Sequence, residues 1–239
     1  MGFDKLLSSY SDLQSEVLRL RSDLAYVRLK ARLLQLKHKL TEREPFDFVT
    51  AAKNGHTLLV GEGNLSFSLS LASRMGSTAA MLRATTYETQ SNISDVAQHN
   101  AARLSKLGVA VLHGVDARRL EERFPVTRFK LVVFQFPNVA SRRPLHARNP
   151  NHVLIRRFLR SARHVLAGNG RVAITVIDSP HYDGAFSMHE AAIWAGLSPP
   201  RIYPFRMGDY PSYMHSNTQD ENESALVKQD KLQTYVFDK

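Results

Sequence analysis

Gly61 and Gly63 bracket a glutamate in the run HTLLVGEGNLSFSLSLASR, residues 56–74. Glycine at both positions permits a positive φ and lets a ligand lie against bare main chain. Residues 57–60 before them read as a short buried strand. After them a helical pattern runs through Phe67, Leu69 and Leu71, with Ser66 as candidate N-cap. A strand that turns on glycines into a helix N-terminus is where nucleotide-like cofactors sit in doubly wound sheets. A dinucleotide fingerprint would want a third glycine near Ser66, so the same residues also fit a plain tight turn. Glu88 ends the second strand, in ATTYE. An acid there is placed for ribose hydroxyls, and it also fits a surface turn. Asp116, after the third strand, either meets a cofactor base or caps the next turn. Gln135 and Asn138 stand where the fourth strand, residues 129–136, runs into Pro137. That point is the carboxyl end of a central strand, the crevice of an open α/β sheet.

Charge points to a second kind of chemistry. The net charge is +10, and residues 118–163 hold twelve Lys/Arg against two Asp/Glu. Arginine suits bidentate phosphate contacts, so the cluster reads as a nucleic-acid footprint, with a solvated helix face as the alternative. Arg142, Arg143 and Arg148 lie in the loop SRRPLHARNPNH beside the fourth strand. Tyr210 and Tyr213, near Pro211, are placed either to stack a flipped base or to pack in the core. The chain has no cysteine, which removes disulfides, thiolate zinc sites and cysteine nucleophiles. Its ten histidines form no H-E-x-x-H or similar metal pattern, so no metal is expected.

The elements that must hold these residues follow from periodicity. Residues 56–239 read as βα units: helices over 92–107 and 151–167, a GNG helix stop at 168–170, a fifth strand, a short helix over 186–195 and two last strands. The expectation is a doubly wound, Rossmann-like α/β sheet, mostly parallel with its last strand antiparallel. Residues 45–55 read as a linker. Residues 1–44 read as a helical arm, with a heptad seam from Leu6 through Tyr10, Leu13, Val17, Leu20, Leu24, Val27, Ala31 and Leu34 to His38. That seam predicts a parallel coiled-coil homodimer through residues 6–38, or one long helix laid on its own domain. There is no apolar leader and no run of about 18 apolar residues, so a cytoplasmic protein without membrane contact is expected.

This order of elements resembles a class I S-adenosylmethionine-dependent methyltransferase, and FLRSARHVLAGNGRVAIT is similar to that family's helix–turn–strand five. Residues 56–218 resemble more closely the domain of the eukaryotic large-subunit ribosomal RNA (uridine-N3)-methyltransferases. The matching pieces are LLVGEGNLSFSLSLA, ATTYE, VLHGVDARRL, FQFPN, RNPNHVLIRRFL and YPSYMHSNT. The resemblance implies S-adenosyl-L-methionine as cofactor and RNA as partner. It implies that Gly61, Glu62, Gly63 and Asn64 wrap the methionine part, that Glu88 takes the ribose, that Asp116 lies near the adenine and that the FQFPN segment faces the base. The chain departs from the family at Gln135, where asparagine is usual, at Asn138, where histidine is usual, and at Ser212, where glycine is usual. Residues 180–186 also lack the family's tryptophan. A uracil N3–H must lose its proton before nitrogen attacks a methyl sulfonium. An asparagine cannot take that proton, although Gln135 can hold an imide edge through its amide. His146 and His181 are the other nearby bases in sequence. The alternative expectation is therefore a catalytically inactive module that binds nucleotide or RNA and dimerises through the arm.

Overall fold

A computed structural model describes residues 3–19, 26–33, 44–139, 141, 143–145, 148–178, 185–215 and 231–239. Seven strands form one sheet: β1 (Thr57–Val60), β2 (Leu82–Thr85), β3 (Ala110–Leu112), β4 (Phe129–Gln135), β5 (Leu166–Ile177), β6 (Arg201–Pro204) and β7 (Leu232–Asp238). Their spatial order is β3-β2-β1-β4-β5-β7-β6. The first five are parallel, and β7 runs antiparallel between β5 and β6. The expected α/β sheet with a reversed last strand is present. The chain moves outward from β1 to β3 and returns to β4, so the order switches between β1 and β4. Ligand crevices open at the carboxyl ends of such a pair.

The central strands are buried on both faces because successive side chains alternate between two cores. Leu58, Val60, Val132, Phe134, Val172 and Ile174 face a core that also takes Leu120, on α6 (Leu120–Arg123), and residues of α7 (Pro150–Val165) and α8 (Met188–Ala195). Leu59, Leu131, Val133 and Ala173 face the other core, covered by α3 (Phe48–Lys53), α4 (Ser66–Met75) and α5 (Asp95–Lys106).

Two expectations change. The segment read as a linker contains α3, capped by Asp47, whose side chain accepts from Thr50 N–H at 2.9 Å. Its Phe48 is fully buried and meets Phe46, Phe67, Phe205 and Tyr210 edge-on or nearly so. The GNG run does not stop a helix but lies inside β5. The register there jumps from Phe129–Leu166 to Leu131–Arg171, a bulge. A Cβ on Gly170 would sit 2.8 Å from the Phe129 carbonyl, so the bulge requires glycine.

The arm is helical over α1 (Phe3–Arg19) and over α2, residues 26–33. Leu7 and Tyr10 of α1 pack on Ile202 of β6 and Tyr235 of β7. The side chains of Val17, Leu20, Leu24, Leu34 and His38 in the predicted seam lie outside the described residues. No helix among the described residues is long and apolar enough to cross a membrane.

Candidate active site

The β1 turn is built as its glycine suggests, with one exchange. Gly61 has φ +66°, and a Cβ there would lie 2.7 Å from the Phe134 ring on β4. Gly63 is not among the residues with positive φ; Leu65 is, at +61°, fully buried at the N-cap of α4. Ser66 is therefore the first helical residue, not the N-cap. Asn64 Oδ1 accepts from Ser66 N–H at 3.0 Å instead. Asn64 Nδ2 donates to the Met214 carbonyl at 2.8 Å, and Ser66 Oγ donates to the same oxygen at 2.9 Å while accepting from Met214 N–H. The side chain of Asn64 thus ties the turn to a segment 150 residues away. The turn is also pinned to β2, since Glu62 N–H donates to the Thr85 carbonyl.

Glu62 turns inward. It is 7% exposed, and its Oε2 accepts from Ser68 N–H at 3.1 Å. Its Oε1 has no partner among the described residues. Burial pushes its carboxyl up to about 7, against the lowering effect of the Ser68 contact. The exposed Glu88 lies in a turn held by Gly114 N–H and Thr86 Oγ, both donating to the Glu88 carbonyl at 2.8 Å. Asp116 both caps and pairs. It accepts from Arg118 N–H and from the Arg118 guanidinium, Nη2 at 2.7 Å, contacts that hold its carboxyl below the usual range despite partial burial.

One cleft of about 1160 Å³ collects these groups with the end of β4. Gly61–Asn64, Glu88, Asp116, Gln135, Asn138 and Tyr213 all line it. At Phe136 the backbone adopts φ +49°, a strained conformation for a bulky residue, directly after Gln135. Both amide atoms of Gln135 are buried without a partner among the described residues. A polar pair left open in this way is ready for a ligand that offers an acceptor and a donor. Pro137–Val139 is held from below, where the Asn151 amide oxygen at the start of α7 accepts from Val139 N–H at 2.8 Å.

The sequence reading missed His215. It lines the same cleft, edge-on to Phe136 at 4.9 Å, with Nδ1 3.4 Å from the Tyr213 hydroxyl. Burial lowers it to about 4, so the imidazole is uncharged at neutral pH. The signal was the histidine inside YPSYMHSNT, three residues after Ser212. Tyr213 stacks nearly parallel to Phe136 and is pushed well above the usual phenol range, first by burial and then by Glu62. Tyr210 belongs to the aromatic core instead: it is 5% exposed, packed on Phe67 and Phe205, and is not part of the cleft lining. The expected stacking role does not fit it.

The rim is basic. Arg118 and Arg157 line the cleft. Arg148 pairs with Glu190 on α8 at 2.5 Å, and Arg143 is exposed. Arg142, His146 and His181 lie outside the described residues. Among the described residues no group of three or more His, Asp or Glu could hold a metal ion.

A family model described as BMT5-like rRNA (uridine-N3-)-methyltransferase matches residues 58–217. The chain belongs to this family. Among its relatives is the uncharacterized protein At4g26485 of Arabidopsis thaliana, 31% identical over 66% of this chain and 79% of that one. Heavy metal-associated isoprenylated plant protein 41 of the same plant is 30% identical over 68% of this chain and 33% of its own length. The mouse ferredoxin-fold anticodon-binding domain-containing protein 1 homolog is 32% identical over 75% and 30%. The chain therefore spans about a third of two of these relatives. Among solved structures, a SAM dependent methyltransferase from Aquifex aeolicus aligns at TM-score 0.47 and 14% identity, over 94% of this chain and 97% of that one. The methyl donor of the BMT5-like family is S-adenosyl-L-methionine. The residues present fit it: the turn Gly61–Asn64 lines the cleft, Glu62 offers an unpartnered buried carboxylate oxygen for an ammonium, and Glu88 lines the same cleft three residues past β2.

Proposed function

We propose that this protein is an S-adenosyl-L-methionine-dependent methyltransferase acting on ribosomal RNA, at N3 of a uridine. The single observation that carries the base assignment is Gln135, a buried amide with donor and acceptor both open, on the strand beside the cofactor turn. In this reading Gly61–Gly63 and Glu62 hold the methionine part of the cofactor, Glu88 its ribose, and Asp116 with Arg118 the adenine side. S-adenosyl-L-methionine, when bound, supplies an electrophilic methyl group. Gln135 Nε2–H donates to a carbonyl oxygen of the uracil, where negative charge gathers as N3 loses its proton. His215 accepts that proton in place of the histidine that the family usually carries at 138. Its imidazole is uncharged in the free protein, and the developing negative charge beside it raises its affinity for the proton. Tyr213 and Phe136 form the wall against which the base lies.

Arg143 and Arg148 are proposed phosphate contacts at the rim, and Arg142, outside the described residues, is proposed for the same role from its sequence. The homodimer is proposed through the part of the seam beyond α1, where Val27 stands 62% exposed. Light scattering of the full chain reads it directly, and a monomer mass removes it.

Calorimetry with S-adenosyl-L-methionine, followed by methyl transfer to unmodified ribosomal RNA and nucleoside mass spectrometry, tests the function. The expected product is 3-methyluridine. Cofactor binding with no transfer to RNA would favour the inactive module, and no binding at all would remove the reading.

A further inference from the structure

The outer faces of α7 and α8 carry charge that neither the sheet nor the cleft chemistry uses. Arg156, Arg160 and Arg163 follow each other at helical spacings of four and three, an arrangement of like charges that opposes the helix. The guanidinium of Arg156 lies 4.3 Å from the ring centroid of Trp194 on α8, and that of Arg160 lies 5.2 Å from it. Trp194 itself is 41% exposed and its neighbour Ile193 71%. Each arginine thus sets its guanidinium over the indole, a cation–π contact that still leaves N–H groups to donate. The Nε of Arg156 is buried without a partner among the described residues.

Arg157, on the same helix α7, lines the cleft, so the row starts beside it. Further along α7 Arg163 lies against Gly196, and Arg163 and Arg128 together press on Lys239 and depress its pKa, after burial. Glu190, the acid on this face of α8, is taken by Arg148. A row of cations with a single acid beside it, Glu190, which pairs with Arg148 and also feels Arg156, braced by an exposed indole and starting near the cleft, calls for a flexible polyanion with bases to stack.

We propose that the α7–α8 face is the track for the single-stranded RNA that leaves the cleft, with phosphates on the outer Nη groups of Arg156 and Arg160 and a base against Trp194. This rests on the RNA methyltransferase reading above. The test is anisotropy titration of a labelled oligouridine into the full chain at several salt concentrations. R156Q/R160Q should weaken binding about tenfold at low salt and reduce the log–log salt slope by about 1.4, at about 0.7 per lost phosphate contact. R156K/R160K should keep the slope and lose part of the affinity with the stacking. K53Q/K106Q, which removes two charges from α3 and α5 on the opposite face of the sheet, should leave the slope unchanged. Unchanged melting temperatures establish that the variants fold. An unaltered slope in R156Q/R160Q, or an equal loss in K53Q/K106Q, overturns the track, and a face that then retains an acidic protein is a protein-docking site. Methyl transfer by the wild type separates the two claims. An active wild type with R156Q/R160Q unchanged in RNA affinity sinks the track alone. A wild type that neither binds nor methylates RNA sinks both.

Discussion

Gln135 is kept at a cost to stability. A buried amide with neither atom bonded typically costs about 1–3 kcal/mol. Gln135→Met keeps the length and removes both polar atoms. It should raise the unfolding free energy by about 1–2 kcal/mol while turnover collapses and cofactor affinity stays. A denaturant melt showing Gln135→Met less stable than wild type would mean that the amide has a partner within the fold. Glu62 gives a pH signature. In the folded protein its carboxyl keeps a proton up to about pH 7, while the unfolded chain releases it near 4.5. Between those values the native state binds more protons, so this group's contribution to stability falls as pH rises through the window. Glu62→Gln should flatten that fall, and stability curves between pH 4.5 and 7.5 would reveal it. An ammonium group beside Glu62 favours the ionised carboxylate, so cofactor binding should release a proton below pH 7 and tighten as pH approaches 7. Calorimetry in buffers of different ionisation enthalpy counts that proton. Binding that weakens over this range would place Glu62 away from any cation. His215→Ala should lower kcat without moving cofactor affinity.

At the scale of elements, the site is a junction between the β1 turn and the segment carrying Tyr213, Met214 and His215. Ser66 Oγ bonds both backbone groups of Met214. Ser66→Ala leaves the Met214 N–H unpaired while its carbonyl keeps the Asn64 bond, a loss of about 1–3 kcal/mol, and loosens His215 from its place over Phe136. Hydrogen exchange at the Met214 amide should accelerate, with kcat falling more than cofactor affinity. Unchanged exchange would show that Asn64 alone holds the segment. Little of this junction was legible in the sequence, because its bonds join residues nearly 150 positions apart and follow no period. What was legible is what alternation and strand ends dictate. The apolar runs at 57–60 and 129–136 placed β1 and β4, and Pro137 marked where β4 stops, so spacing alone set Gln135 and Asn138 at the cleft that both line. Leu65 hid the αL position because leucine rarely adopts it; here it is fully buried in the core with Phe48 and Phe67. The GNG run misled because the same residues serve a helix stop and a strand bulge, and only the partner strand chooses between them.

Over the whole molecule, the N-terminal arm decides how the domain meets its surroundings. A heptad pattern states only that one face is apolar; it does not state which surface covers it. Here α1 places Leu7 and Tyr10 on Ile202 and Tyr235 at the β6–β7 side of the sheet. Leu7 is 7% exposed and Ile202 likewise 7%, so each loses cover if the arm leaves. Full burial of a leucine or isoleucine side chain is worth about 1.5–3 kcal/mol, and the arm is half of each contact. A chain beginning at Glu44 should therefore lose about 2–3 kcal/mol, a fall of about 5–10 °C in Tm for a domain of this size. Its β6 edge, stripped of α1, should also aggregate more readily on heating. Leu7→Asp in the full chain should reproduce most of the Tm loss without changing the cleft, and cofactor affinity measured beside the melt checks that. If truncation leaves Tm unmoved, α1 does not dock on its own sheet, and the whole seam from Leu6 onward is open to a second copy.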